Sequence, residues 1–271
     1  MRLRNLEILF RYVRRESFDY FAMPAMLLSM SQLVDDYRKQ IRTVLGGIAT
    51  WMPGDKVRVG DIGTFAGNRF RRQSSLKELG FEARTRSGNP QPWRYASAST
   101  KSVEASAAVD AGAAAGSFDV SFSKRGSYLF HAHNARLVEP VNATQLRDNV
   151  IAAYKGGDWD IDWYLIDGIY QADRATILIA QGEDAKVSLS VAGSIGLAQL
   201  PLAHPEVNVA ITSSKGEVLQ FLNLEDATPL FTCRRLKKRF FGGQDLEPVR
   251  DANDSLRWTR IEPEDLPASD D

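Results

Sequence analysis

From Lys56 to about Phe231 the apolar residues of this chain recur mainly at every second position, in short runs broken by Gly, Asn, Asp, Ser and Pro. A two-residue period puts successive side chains on opposite faces, which is the pattern of half-buried strands. Lys56-Val57-Arg58-Val59 alternates, and Asp61–Phe65 with Gly67–Phe70 reads as a short hairpin about a glycine-permitted turn. Phe118–Phe122 and Ser127–Phe130 read as a second hairpin about Lys124-Arg125-Gly126. Residues 161–179 read as two apolar strands around Asp167-Gly168 and Ala172-Asp173-Arg174. The pattern predicts an α+β chain: a mainly antiparallel, twisted β-sheet with long hairpins, N-terminal helices and a short C-terminal tail.

Helical spacing is confined to three places. In residues 3–15, Leu3, Leu6, Leu9, Phe10 and Val13 share one side, and Arg4, Arg11, Arg14 and Arg15, with Arg2 just before, fill much of the rest. Such a basic amphipathic helix suits docking on a core or lying on an anionic membrane. Ser31 to Ile48 carries Leu33, Val34, Tyr37, Ile41, Val44, Leu45 and Ile48 at three- and four-residue steps, with Ser31 as cap and Gly46-Gly47 as stop. Asn142–Tyr154 is predicted as a short helix behind an asparagine cap, with Leu146, Val150 and Ile151 inward and Gly156-Gly157 ending it. Residues 86–99, rich in Gly, Pro and Ser, read as a loop, and the Ala/Gly/Ser stretch 105–117 as a mobile or edge segment. Three parts follow: a helical segment over 1–50 packed on the core, a β-rich domain over 51–243, and a tail over 244–271.

After Phe231 the composition shifts. Arg234, Arg235, Lys237, Lys238 and Arg239 form a basic cluster running into Phe240 and Phe241. The tail beyond it sets nine acidic side chains against three arginines, with Leu256, Trp258 and Ile261 as its apolar anchors. A disordered linker rarely keeps a tryptophan and spaced aliphatics, whereas a docked peptide needs them to offset its ordering entropy.

Lys plus Arg balances Asp plus Glu at 34 each, so no global field steers nucleic acid and none is expected as a partner. The lone cysteine, Cys233, leaves no internal disulfide and suits a reducing compartment. No run approaches the ~20 apolar residues of a membrane-spanning helix, and the arginine-interrupted start does not form a signal peptide. A cytoplasmic protein is expected.

No catalytic or cofactor motif stands out, and no cofactor is expected. His131-Ala132-His133 places two imidazoles on one strand face, where they could share a metal, although the chain holds only three histidines. Asp158, Asp160 and Asp162 alternate with Trp159, Ile161 and Trp163, so a strand would point carboxylates one way and indoles the other. Gly60-Asp61-Ile62-Gly63 lacks the strand–loop–helix setting of a phosphate cradle.

The segment Val187–Ala198 goes furthest. Val187, Leu189, Val191, Ile195 and Leu197 share one face, and Ser188, Ser190, Ala192, Ser194 and Gly196 the other. That is about the length and alternation of a barrel strand crossing a bilayer, roughly 9–11 residues, and equally the pattern of an antiparallel sheet with one wet face. Val207–Thr212 repeats it after a loop holding Pro201 and Pro205.

The order of these pieces resembles the pore-forming domain of gasdermins, including the short bacterial ones. The resemblance is carried by Val59-Gly60-Asp61-Ile62-Gly63, by the helix Gln145–Tyr154 followed by Trp163–Ile169, and by the long alternating strands after them. It covers about residues 56–240 and is an ordering of elements. It implies an autoinhibited effector of cell death or bacterial defence. A protease would release the tail, and the domain would then bind anionic lipid, oligomerise and refold into a membrane β-barrel. The basic cluster with Phe240 and Phe241 would meet lipid. Two other functions fit the same residues: a non-enzymatic β-rich interaction module, and a metal-dependent hydrolase using His131 and His133.

Overall fold

In the computed structural model, which describes residues 22–67, 69–110, 113–193, 202–238 and 256–261, the alternating pattern becomes two antiparallel sheets. Helix α1 (Ala22–Leu45) leads into β1 (Ile48–Ala49), β2 (Asp61–Ala66), β3 (Arg69–Ser75), β4 (Thr85–Ser87) and β5 (Gln91–Ala96). Then come β6 (Thr100–Asp110), β7 (Ala113–Phe122), β8 (Tyr128–Pro140), helix α2 (Ala143–Gly156) and β9 (Tyr164–Ala180). Last are β10 (Ala185–Gly193), β11 (Val207–Lys215), β12 (Val218–Lys238) and β13 (Leu256–Arg260). The α+β class and the antiparallel pairing agree with the sequence pattern.

Strand β9 is the spine. Along its whole length it pairs with β12, and on its other side first with β2 and then with β8. The chain therefore runs through Asp167-Gly168 and Ala172-Asp173-Arg174 as one strand, not the two that were expected. Register shifts in the β9–β12 pairing, with the extra residue on β12 between Phe221 and Leu224 and between Ala227 and Leu230, and on β9 opposite Thr232 and Cys233, absorb the breaks in alternation. Gly168 is where a side chain would not fit, since a Cβ there would lie 2.6 Å from Thr232 Oγ1.

One face of this sheet is covered by α1, whose Leu33, Tyr37 and Ile41 pack with Tyr128, Phe130, Ile177 and Ile179. The helix begins before Ser31, because Ala25, Met26, Leu27 and Leu28 are good helix formers that simply continue it. It ends at Gly46, whose φ of 69° is left-handed and whose N–H returns to Arg42 O at 2.8 Å. Near the Tyr164 end of β9, α2 packs Leu146 and Val150 against Ile62, Leu165 and Leu236. Asn142 precedes α2 but does not cap it. Its side chain turns back to accept from Arg84 N–H and to donate to Glu82 O.

Three further expectations are corrected. β7 and β8 do not form a hairpin: they lie in different sheets, joined by a corner where Ser99 and Ser127 share a 2.6 Å hydrogen bond. Residues 86–99 are not all loop, because pairing along the edge of β8 recruits β4 and β5 and buries Trp93. Residues 158–163 are bends and a turn, not a strand, although Trp159 and Trp163 still converge, 5.7 Å apart and edge-to-face.

The second sheet runs β11-β10-β7-β6 and lies on the face of the central sheet away from α1. Its Phe118, Val120, Phe122, Val187, Leu189, Val191, Val207 and Val209 are buried with Leu129, Leu178 and Ala180 beneath them. Leu189 is 0% exposed, so Leu189→Asp places an unpaired charge in this layer and is expected to lower folding stability by roughly 3–5 kcal/mol in urea titration. Ser190→Lys, on the opposite face, is expected to change it by less than about 1 kcal/mol, and an unfolded Ser190→Lys protein would reverse the assignment of faces.

Candidate functional site

The sheet formed by β6, β7, β10 and β11 is built from two hairpins placed side by side. They join through β7 and β10, with Leu189 opposite Phe118, Val187 opposite Val120 and Ala185 opposite Phe122. The large apolar residues thereby meet in cross-strand pairs on the inner face. The outer face of the same strands carries Ser117, Asp119, Ser188, Ser190, Asn208 and Ala210. Val187, Leu189 and Val191 are thus core residues here; Ile195 and Leu197 lie outside the described residues.

Residues 202–206, which lead into β11, lie down on the central sheet and are clasped there. Thr176 Oγ1 donates to Leu202 O at 2.7 Å. Arg174 Nη1 donates to His204 O at 3.2 Å, Pro205 O at 2.7 Å and Val207 O at 3.0 Å. Leu202 is fully buried and serves as an apolar plug beside these bonds. Asn223 Nδ2 adds a bond to Val209 O at 2.9 Å.

The clasp sits on a polar strip inside an otherwise apolar sandwich. In the β8–β9 register His131 is opposite Thr176 and His133 is opposite Arg174, so all four share the face beneath the hairpins. His131 is buried, with its ring 6.0 Å from Phe118 and its Nδ1 without a partner. His133 meets His204 of the loop, ring centroids 4.7 Å apart. Burial, assisted by Arg94, pushes the His131 pKa down to about 4. Burial and then His204 push His133 down as well, opposed by Asp173. A histidine held below its unfolded value stabilises the fold fully above about pH 6.5 and loses that contribution as pH falls toward its folded pKa.

Arg174, Thr176, Leu202 and His204 were not singled out from the sequence. The available signal was an arginine and a threonine at inward positions of an apolar strand. His131 and His133 do share a face, but among the described residues no group of three or more His, Cys, Asp or Glu side chains is placed to hold a metal. Asp158, Asp160 and Asp162 are exposed in their turn.

The basic cluster lies on β12, at the other end of the spine. Arg234 Nε donates to Asp167 Oδ2 at 2.6 Å, and Thr232 Oγ1 holds the other oxygen at 2.7 Å. Arg235 donates to the Tyr164 hydroxyl at 3.0 Å and lies over its ring. Lys237 pairs in register with Arg257 of β13. The side chain of Lys238, and Arg239, Phe240 and Phe241, lie outside the description. In the tail, β13 pairs antiparallel with β12, Trp258 opposite Leu236, and Leu256 opposite Lys238. Trp258 packs against the α2 cluster, and Ile261 is buried with its N–H on Cys233 O. Cys233 is itself buried, which pushes its thiol pKa well up. No helix among the described residues is long and apolar enough to cross a membrane.

Arg174→Met removes the nitrogen shared by the carbonyls of His204, Pro205 and Val207 while keeping much of the side chain's bulk. It is expected to cost about 2 kcal/mol in urea titration. An unchanged midpoint would show that the clasp contributes nothing.

No family model and no curated protein matches the sequence. Among solved structures, the cryo-EM structure of the gasdermin A3 membrane pore aligns over 81% of this chain and 96% of that one, at 8% identity and a TM-score of 0.33. A likeness that loose assigns neither family nor function.

Proposed function

We propose that this protein is a pore-forming effector stored closed, whose two paired hairpins become the membrane-spanning unit of an oligomeric β-barrel. The observation that carries this reading is the four-stranded sheet. Its strands are 9 to 11 residues long and antiparallel throughout. Among the described side chains its inner face is apolar and its outer face largely small and polar, and β6 and β11 are its end strands. A tilted strand crosses a bilayer in about 9–11 residues, and a barrel must satisfy every edge, because lipid offers no hydrogen bonds. Pairing β6 of one copy with β11 of the next would meet that demand. The face now buried on β8 and β9 would then meet acyl chains, and the small polar face would line water.

In this reading the partners are anionic lipid, further copies of the chain and a protease that releases residues 244–271. The protein waits in the cytoplasm and associates with a membrane once active. The basic cluster from Arg234 to Arg239, with Phe240 and Phe241, would engage lipid, Arg234 and Arg235 exchanging Asp167 and Tyr164 for phosphate. β13 pairs at the Tyr164 end of the spine, roughly 50 Å along β9 from the hairpin base at ~3.3 Å per residue. Tail release therefore acts on the β12 edge and its basic side chains, not on the hairpins directly.

Dye release from anionic and zwitterionic liposomes tests this. Intact protein is expected to leave both sealed. Protein cut after Gly243 is expected to empty the anionic ones, less so as salt rises, because the arginines and lysines would carry the attraction. Trimmed protein that stays folded and releases no dye from either would contradict the proposal.

A further inference from the structure

The chain has three histidines in 271 residues, and all three line one cavity of about 20 Å³ beneath the β10–β11 tip, with Trp93 and Leu202. We propose that His133 and His204 form a proton-operated catch that holds this tip on the central sheet at neutral pH and releases it on acidification. Its use as a trigger rests on the pore-forming reading; the catch itself does not.

The geometry gives protonation two ways to act. His204 Nδ1 accepts the N–H of Glu206 at 3.2 Å, and a protonated imidazole has no acceptor nitrogen, so that bond is lost on charging. The ring of His204 lies 4.7 Å from that of His133, so two charged rings would face each other across the seam between loop and sheet. The surroundings offer little to offset those charges. Arg94 of β5 bears on His131, and Arg174 of β9 stands opposite His133. Asp173 of β9 favours a charge on His133, yet its oxygens are already held by Asn134 Nδ2 at 2.8 Å and Arg136 Nη1 at 3.0 Å. Glu206, on the loop, is exposed. His131, buried behind the pair with an unpartnered Nδ1, is a third group that charges more readily once the tip has lifted. The loop is also where a small change has leverage, since it closes the hairpin whose apolar face the central sheet covers.

Hydrogen exchange on the full chain, between about pH 7.5 and about pH 5 and corrected for the intrinsic rate, reads the catch directly. In wild type, uptake across residues 185–215 is expected to rise about tenfold on acidification, while α1 and the Tyr164 end of β9 stay protected. His133→Asn with His204→Asn, neutral at both pH values, is expected to abolish the rise. No selective rise in wild type, or an equal rise in the double variant, overturns the catch. If the double variant does not fold, His204→Asn alone is expected to reduce the rise, and an undiminished rise again overturns it. Dye release by trimmed protein at both pH values separates the two ideas. Histidine-dependent opening without leakage keeps the catch and removes the pore. Leakage without histidine-dependent opening keeps the pore and removes the catch.

Discussion

An antiparallel sheet with one apolar face cannot stand alone in water, and the rest of this structure depends on how that face is covered. Phe118, Val120, Phe122, Val187, Leu189, Val191, Val207 and Val209 lie against Leu129, Leu178 and Ala180 of the central sheet. Each such side chain contributes about 1.5–3 kcal/mol when fully buried, whereas a hydrogen bond contributes about 1 kcal/mol net. Apolar burial therefore holds the layers together, and the polar clasp decides where the tip sits. The bonds from Arg174 and Thr176 fix the loop at one place on β9, and the adjoining histidines make that placement sensitive to charge.

The same covering is what a change of environment can replace. Lipid chains solvate an apolar face as well as Leu129 and Leu178 do, so transfer to a bilayer loses little of the apolar term while removing the need for the central sheet. The backbone is the harder constraint. Every strand edge must be paired in hydrocarbon, which makes further copies of the chain a requirement of the proposed open state. The clasp bonds have no counterpart there, so they oppose opening without stabilising its product.

Much of the fold was legible because alternation is local. Val187, Leu189 and Val191 could be placed on one face from spacing alone, and the hairpin of β2 and β3 from its glycine turn. What alternation lacks is the identity of the neighbour. Phe118–Phe122 and Ser127–Phe130 have the look of a hairpin, but their pairing is set by β10 and β9, far off in sequence. β9 looked like two strands because bulges opposite its polar residues are invisible to a fixed period. The candidate site was harder still. His133 opposite Arg174, and His204 above them, come together only once three separate elements are in register. Asp158, Asp160 and Asp162 show the converse: a regular two-residue spacing that falls on bends and a turn and not on a strand.

The claim at the centre of this account is that one face of β10 exchanges protein for lipid while the other stays wet. Single cysteines at 187 to 191, in a Cys233→Ser background, measure it through reaction with water-soluble and lipid-soluble maleimides. In solution, Ser188→Cys and Ser190→Cys are expected to react with the water-soluble reagent, and Val187→Cys, Leu189→Cys and Val191→Cys with neither. On anionic liposomes after trimming, those three are expected to react with the lipid-soluble reagent, keeping the two-residue alternation. If the three remain unreactive on liposomes that have emptied, the hairpin face has not entered the bilayer, and the account is wrong.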